Sequence, residues 1–212
     1  MILRCATSNP GKLREFRTNH PEVDIQPLDG LKSIPPCEED GDTFEANAIK
    51  KALYYSQFTP DPIFADDSGL TVDALGGAPG VYSARYSPDG DDLANNRLLI
   101  ANLQGVENRA AHFVCVIALA RQGQLLGTFK GSIEGRIVDE PRGANGFGYD
   151  PHFFHEPFAC TFGEAAPAQK MRISHRAQAL DAMILGFVRK QHCHLTHRSL
   201  RSRLGPSGVT EP

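Results

Sequence analysis

No stretch of this 212-residue chain stays apolar long enough to cross a bilayer. Its first residues, Met1-Ile2-Leu3-Arg4, run straight into a strand-like segment rather than a secretory signal, so a cytoplasmic protein without a membrane partner is expected. Paired cysteine spacings are missing. The five cysteines (Cys5, Cys37, Cys115, Cys160, Cys193) stand singly and in odd number, which excludes a disulfide framework and a Cys-based zinc site. A basic excess is missing too: 22 Lys and Arg against 25 Asp and Glu leave a formal charge of −3, which argues against nucleic acid as a partner. A local basic pocket for a small anion remains compatible with that total.

What is present is a set of short motifs between ordinary structural segments. Ile2 to Ala6 reads as a strand, and Thr7-Ser8-Asn9-Pro10-Gly11-Lys12 as a donor-rich turn into a helix bearing Leu13 and Phe16. Such a turn suits a phosphate, although the Walker spacing Gly-x-x-x-x-Gly-Lys-Ser/Thr is absent. Residues 21 to 37 hold four prolines and read as a connection. In the acidic run Glu38 to Asp42, Asp42 with Glu45 resembles a capping box for a helix whose buried face is Phe44, Ala48, Ala52 and Tyr55. Glu38 and Glu39 precede that helix: they are either solvated loop carboxylates or hard oxygen ligands for Mg²⁺.

Phe64-Ala65-Asp66-Asp67-Ser68-Gly69-Leu70 reads as a buried strand ending at two carboxylates, with a turn at Gly69. Consecutive strand residues point to opposite faces, so Asp66 and Asp67 are expected to do different work. Downstream, Asp91 to Leu103 reads as a helix with Leu93, Ile100 and Leu103 inward, and His112 to Ala120 as a central strand. Its neighbours are expected at Gln124 to Lys130 and Ile133 to Val138, in hairpin order. Gly143 to Pro151 holds three glycines and two aromatics before a bend, a surface on which a flat ring can stack.

Ser174 is a good N-cap for a last helix with Ala177, Leu180, Ile184 and Phe187 on one face. His175 and Arg176 in its first turn oppose the helix dipole, a cost of a few tenths to about 1 kcal/mol that a bound anion would reverse. Lys170 adds a third positive group nearby. From Arg189 onward Lys, Arg and His gather without apolar period, and residues 191–212 read as a mobile basic tail beyond a domain of residues 1–190.

Taken in order, Thr7 to Lys12, Thr43-Phe44 with Asn47-Ala48 and Lys51-Ala52, Ala65 to Leu70, Gly76 to Tyr86, Gly146 to Pro151 and Ile173 to Arg176 resemble the successive motifs of the inosine/xanthosine triphosphate pyrophosphatases. The resemblance implies an elongated α/β fold with a long mixed sheet, helices on its flanks and a cleft between two lobes, in a homodimer. It implies hydrolysis of ITP, dITP and XTP to monophosphate and pyrophosphate. Carried over by motif, Thr7, Ser8, Asn9, Pro10, Gly11 and Lys12 contact the triphosphate, Asp67 is catalytic, and Ser68 touches substrate. Phe147, Gly148, Tyr149 and Asp150 hold the base, with Lys170, His175 and Arg176 completing the pocket. The Glu-x-x-Gly metal position falls on Glu38, with Glu39 adjacent, so that Glu38 and Asp67 hold Mg²⁺ while Lys12 and Lys170 neutralise phosphate charge. Two departures are Ala144-Asn145, where relatives often have Thr-Gly, and the extension beyond residue 190. The other readings are a pyrophosphatase of other nucleotides and a catalytically silent nucleotide-binding protein.

Overall fold

The amino-terminal unit forms as its pattern predicts: β1 (Ile2–Cys5), a polar turn, and α1 (Pro10–Asn19), with Asn9 as N-cap. The computed structural model describes residues 2–186. Six further strands follow: β2 (Asp24–Pro27), β3 (Ile63–Val72), β4 (Ala110–Arg121), β5 (Gln124–Ile137), β6 (Phe153–His155) and β7 (Cys160–Thr161). They make one sheet in the order β2-β1-β3-β4-β5-β6-β7. β1 runs parallel to both β2 and β3, and every pairing from β3 onward is antiparallel, so the sheet is mixed. The remaining helices are α2 (Phe44–Tyr55), α3 (Asp92–Asn102), α4 (Pro167–Ile173) and α5, residues 175–186.

Alternate residues of the long strands serve different cores. On one face Leu3, Cys5, Phe64, Cys115, Ile117 and Leu119 meet Phe16 of α1 and Leu180 and Met183 of α5. On the other, Ile63, Ala65, Val116 and Ala118 meet Ala48, Ala52 and Tyr55 of α2. A third cluster, around Leu70, Val72, Leu99, Phe113, Phe153 and Phe162, lies at the far end of β3 and β4 under α3. The expected α/β class and long mixed sheet are therefore observed. Between the apolar clusters β3 carries its polar residues, Asp66 to Ser68, and that interval locates the site.

Several local expectations are corrected. β3 neither ends at Ala65 nor turns at Gly69; it continues to Val72, paired with β4 along its whole length. Gly69 is required for another reason, because a Cβ there would collide with Ser83 Oγ and lie 2.7 Å from the Gly80 carbonyl oxygen. The cap of α2 is Thr43, whose Oγ1 accepts from the Ala46 amide, and Glu45 instead accepts from Thr128 Oγ1. The two segments expected beside β4 are one strand, β5. At its middle, Gly131 leaves room for α5, whose Ala179 amide nitrogen would be 2.6 Å from a Cβ. Leu93 is 67% exposed, because the first turn of α3 stands at the cleft rim rather than over the core. Ser174 caps α5 as expected, its Oγ accepting from Ala177. Phe187 and residues 191–212 lie outside the described residues.

Candidate active site

The strand pleat divides Asp66 from Asp67. Asp66 shares the α1/α5 face with Ser68, and its Oδ2 accepts from Lys12 Nζ at 2.7 Å and from Ser68 Oγ at 3.1 Å. Asp67 faces α2, where Asn47 Nδ2 donates to its Oδ2 at 3.0 Å and Lys51 Nζ stands 3.8 Å from its Oδ1. Lys51 also binds Glu39 Oε2 at 2.6 Å, so one ammonium sits between two carboxylates. Asn47 and Lys51 are four residues apart on α2 and share its sheet-facing side.

Burial drives the Asp66 carboxyl upward, but Lys12, Lys51 and Arg176 outweigh it and hold the group below the ordinary range. For Asp67 burial wins over Lys51 and Asn47, with Glu39 adding to it, and the carboxyl is raised. Asp67 is thereby the more basic of the two. The Lys51 ammonium is stabilised by Asp66, Asp67 and Glu39 against its own burial.

At the other end of the site α1, α4 and α5 supply a second ionic group. Glu15, buried on α1, accepts from Lys170 Nζ and from Arg176 Nη1, both at 3.0 Å. Lys170 also donates to Asp150 at 2.6 Å, and Arg176 Nη2 donates to Ser68 Oγ at 3.0 Å. Arg176 and Lys170 further stand 4.9 and 5.4 Å from the centroid of the Phe147 ring. Burial raises the Glu15 carboxyl, yet Arg176 and Lys170 bring it below its ordinary value. The conflict between cations and the α5 dipole is thus resolved partly inside the chain, by Glu15. His175 differs from expectation as well: burial, with Arg176, Lys170 and Lys12 close by, holds it well below the usual histidine range, so it is neutral. Its ring stacks on Phe113 at 4.9 Å, and both ring nitrogens lack partners among the described residues.

These groups border one cleft of about 540 Å³. It is lined by Thr7, Ser8, Asn9 and Lys12 of the first loop and helix, by Asp66, Asp67 and Ser68 of β3, by Phe147 to Asp150, and by His175 and Arg176. Glu39 lines it; Glu38 is exposed and does not, and of the other expected residues exposed Pro10, half-buried Gly11 and buried Lys170 are not part of the lining. Asn9 Oδ1 takes the amides of Gly11 and Lys12, at 2.8 and 3.2 Å, so those donors of the turn are already engaged. Glu15, Asn47 and Lys51 carry no assigned role in the sequence reading. Asn47 and Lys51 are signalled by their place in the motifs and by polarity beside the apolar Ala48 and Ala52, whereas Glu15, in the largely polar α1, carries no such signal.

Among the described residues no group of three or more His, Cys, Asp and Glu side chains is disposed as a complete metal cage. Mg²⁺ needs less, since it takes one or two carboxylates and keeps several waters. Asp67 and Glu39, two hard oxygen donors already sharing one cation in Lys51, fit that demand.

The Ham1 family model matches residues 3–185. The dITP/XTP pyrophosphatase of Syntrophobacter fumaroxidans is 50% identical over 182 residues, covering 84% of this chain and 78% of that one. That of Bacillus licheniformis is 48% identical over 180 residues, covering 82% and 92%. Among solved structures, the Ham1 protein of Staphylococcus aureus superposes with a TM-score of 0.80 at 36% identity, covering 90% of this chain and all of its own. A HAM1 protein from Coxiella burnetii gives 0.79 at 39% identity, covering 90% and 99%.

Proposed function

Because the chain belongs to the Ham1 family, we propose that it hydrolyses non-standard purine nucleoside triphosphates (ITP, dITP and XTP) to the monophosphate and pyrophosphate, removing them from the nucleotide pool. The observation that carries this reading is the single cleft that joins an acidic centre at Asp67 and Glu39 to an aromatic, cationic pocket at Phe147 and Arg176. A nucleotide is long enough to occupy both ends, with its triphosphate along Thr7 to Lys12.

In this reading water adds to the α-phosphorus, the bond to the bridging oxygen breaks, and pyrophosphate leaves. Asp67, which lines the cleft, orients the attacking water and takes its proton. Asp67 and Glu39, rather than Glu38, would hold Mg²⁺, which when bound would neutralise phosphate charge and polarise the water. Lys12, fixed by Asp66, faces the phosphates. Lys170, already shared by Asp150 and Glu15, belongs to the base end. There Arg176, which lines the cleft, offers donors alone, so a 6-oxo purine pairs with it, whereas a 6-amino group brings donor against donor. Two copies acting as a homodimer, and a boundary near residue 190 between catalytic domain and tail, complete the proposal.

Product analysis with Mg²⁺ tests it, comparing ITP, dITP and XTP with ATP, GTP, UTP and dTTP. Inosine monophosphate plus pyrophosphate, with ITP and XTP ahead of the standard nucleotides, is expected. Diphosphate plus orthophosphate would overturn the reaction, and preference for UTP or dTTP would overturn the substrate class.

A further inference from the structure

The turn that carries Phe147 is conformationally loose by composition. Gly146 and Gly148 have φ of +77° and +63°, values that suit glycine and that leave the free backbone many alternatives. The side chain of Asp150 holds one point, accepting from the Phe147 amide at 2.9 Å. The other hold comes from far away in sequence. Asp92 Oδ2 accepts from the Gly148 amide at 2.7 Å, and Asn96 Nδ2 donates to the Gly148 carbonyl at 3.0 Å. Both polar groups of one peptide-bearing residue are therefore taken by two side chains one helical turn apart on α3.

That grip has a firm base. The Asp91 side chain caps α3 through the Ala94 amide, Asn95 ties it to the Ser87 amide and the Ala84 carbonyl, and Leu99 is buried in the far core. Asp92 is itself at the rim of the cleft. Catalysis as derived above assigns it nothing.

We propose that Asp92 and Asn96 are positioning residues that fix the Phe147 ring against the purine by clamping Gly148, so that they govern binding of the base and not of the phosphates. The proposal rests on the reading that Phe147 stacks on the base. It separates α3 from the chemistry at Asp67: the helix sets how well a base is held, and the strand sets what happens to its phosphate.

The test uses product inhibition of ITP hydrolysis by inosine monophosphate, which has a base, and by pyrophosphate, which has none, in the full-length enzyme. Asp92→Ala is expected to weaken inhibition by the monophosphate about tenfold, the scale of one charge-assisted hydrogen bond, and to leave inhibition by pyrophosphate within about twofold. Asp92→Asn, which keeps an acceptor, should restore most of the loss, and Asn96→Ala should reproduce it independently should Asp92→Ala fold poorly. In a Phe147→Ala background, Asp92→Ala should add nothing. Equal weakening of both inhibitors, additivity with Phe147→Ala, an Asp92→Asn variant as weak as Asp92→Ala, or an unaffected Asn96→Ala would each overturn the proposal. If Phe147→Ala alone leaves monophosphate inhibition unchanged, the stacking reading fails and the proposal falls with it.

Discussion

Asp66 and Asp67 are adjacent on β3 and are held on opposite sides of ordinary carboxylate acidity. Asp66, 2.7 Å from Lys12 Nζ, is depressed against the pull of its burial, and Asp67, whose partners are Asn47, the Ser68 amide and the more distant Lys51, is raised by its own. The pleat of one strand thus places a more acidic carboxyl on one face and a more basic one on the other.

Asp67→Asn should cut kcat for ITP by a factor of about 10² to 10⁴, the usual contribution of a positioned acid or base. Equilibrium binding of the nucleotide and thermal stability should be retained, since the amide fills the same volume and the buried charge is gone. Steady-state kinetics alongside calorimetry checks this; turnover near that of the parent would remove Asp67 from its role.

Glu39→Gln should raise the Mg²⁺ concentration needed for half-maximal activity by roughly tenfold or more, as expected for loss of one charged ligand. Glu38→Gln should leave it unchanged, because Glu38 is exposed and away from the cleft wall. A Mg²⁺ titration of both variants decides between the neighbours, and the reverse ranking would place the metal on Glu38.

Gly69→Ala should destabilise the protein by about 1–3 kcal/mol, the range for overpacking. The added methyl meets Ser83 Oγ and the Gly80 backbone, and backbone cannot swing aside. Ser83 Oγ accepts from the Leu70 amide at 2.9 Å, so displacement costs that bond too. Denaturant unfolding measures the loss.

His20 joins the end of α1 to α5: Nδ1 meets Glu22 at 2.6 Å and Nε2 meets Asp181 at 2.7 Å. Burial lowers its pKa, but the two carboxylates together raise it above the ordinary histidine value of 6.5. A group raised on folding stabilises fully below its unfolded pKa and loses that contribution as pH climbs through the folded one. The stability difference between the parent and His20→Gln should therefore be largest near pH 6 and shrink through the alkaline side of 6.5. Both carboxylates are more than half exposed, so solvent screening keeps its size below about 1 kcal/mol. Melting curves across pH measure it, and a pH-independent difference would mean that the charge is not shared.

Much of this arrangement was legible in residue order. The strand, polar turn and helix at the amino terminus, the opposed faces of Asp66 and Asp67, the cap at Ser174 and the glycine-rich aromatic loop all rest on local rules, and local rules carry over to the fold. The errors have a common cause. A charged pair followed by glycine reads as a strand end, yet β3 runs on because Lys12 and Arg176 on one side, and Asn47 and Lys51 on the other, compensate its carboxylates. Those partners lie far away in the chain, so no window of sequence contains the balance. Glu15 escaped for the same reason, since a glutamate on an amphipathic helix is ordinarily solvated and its burial depends on Lys170 and Arg176, more than 150 positions later. The cap of α2 was misplaced by a single residue because Asp42 and Thr43 are both competent acceptors, and only the path of the backbone chooses between them.

The pairing of Glu15 with Lys170 and Arg176 spans 155 and 161 positions, and it closes the pocket only when α5 has been laid against β5 at Gly131. A chain still being synthesised has Asp67, Lys12 and the acidic loop early, but it lacks the two cations beside the Phe147 ring until almost the whole described region has been made. The cleft is therefore completed only late in synthesis, and a fragment ending before α5 would lack the His175 and Arg176 parts of its lining.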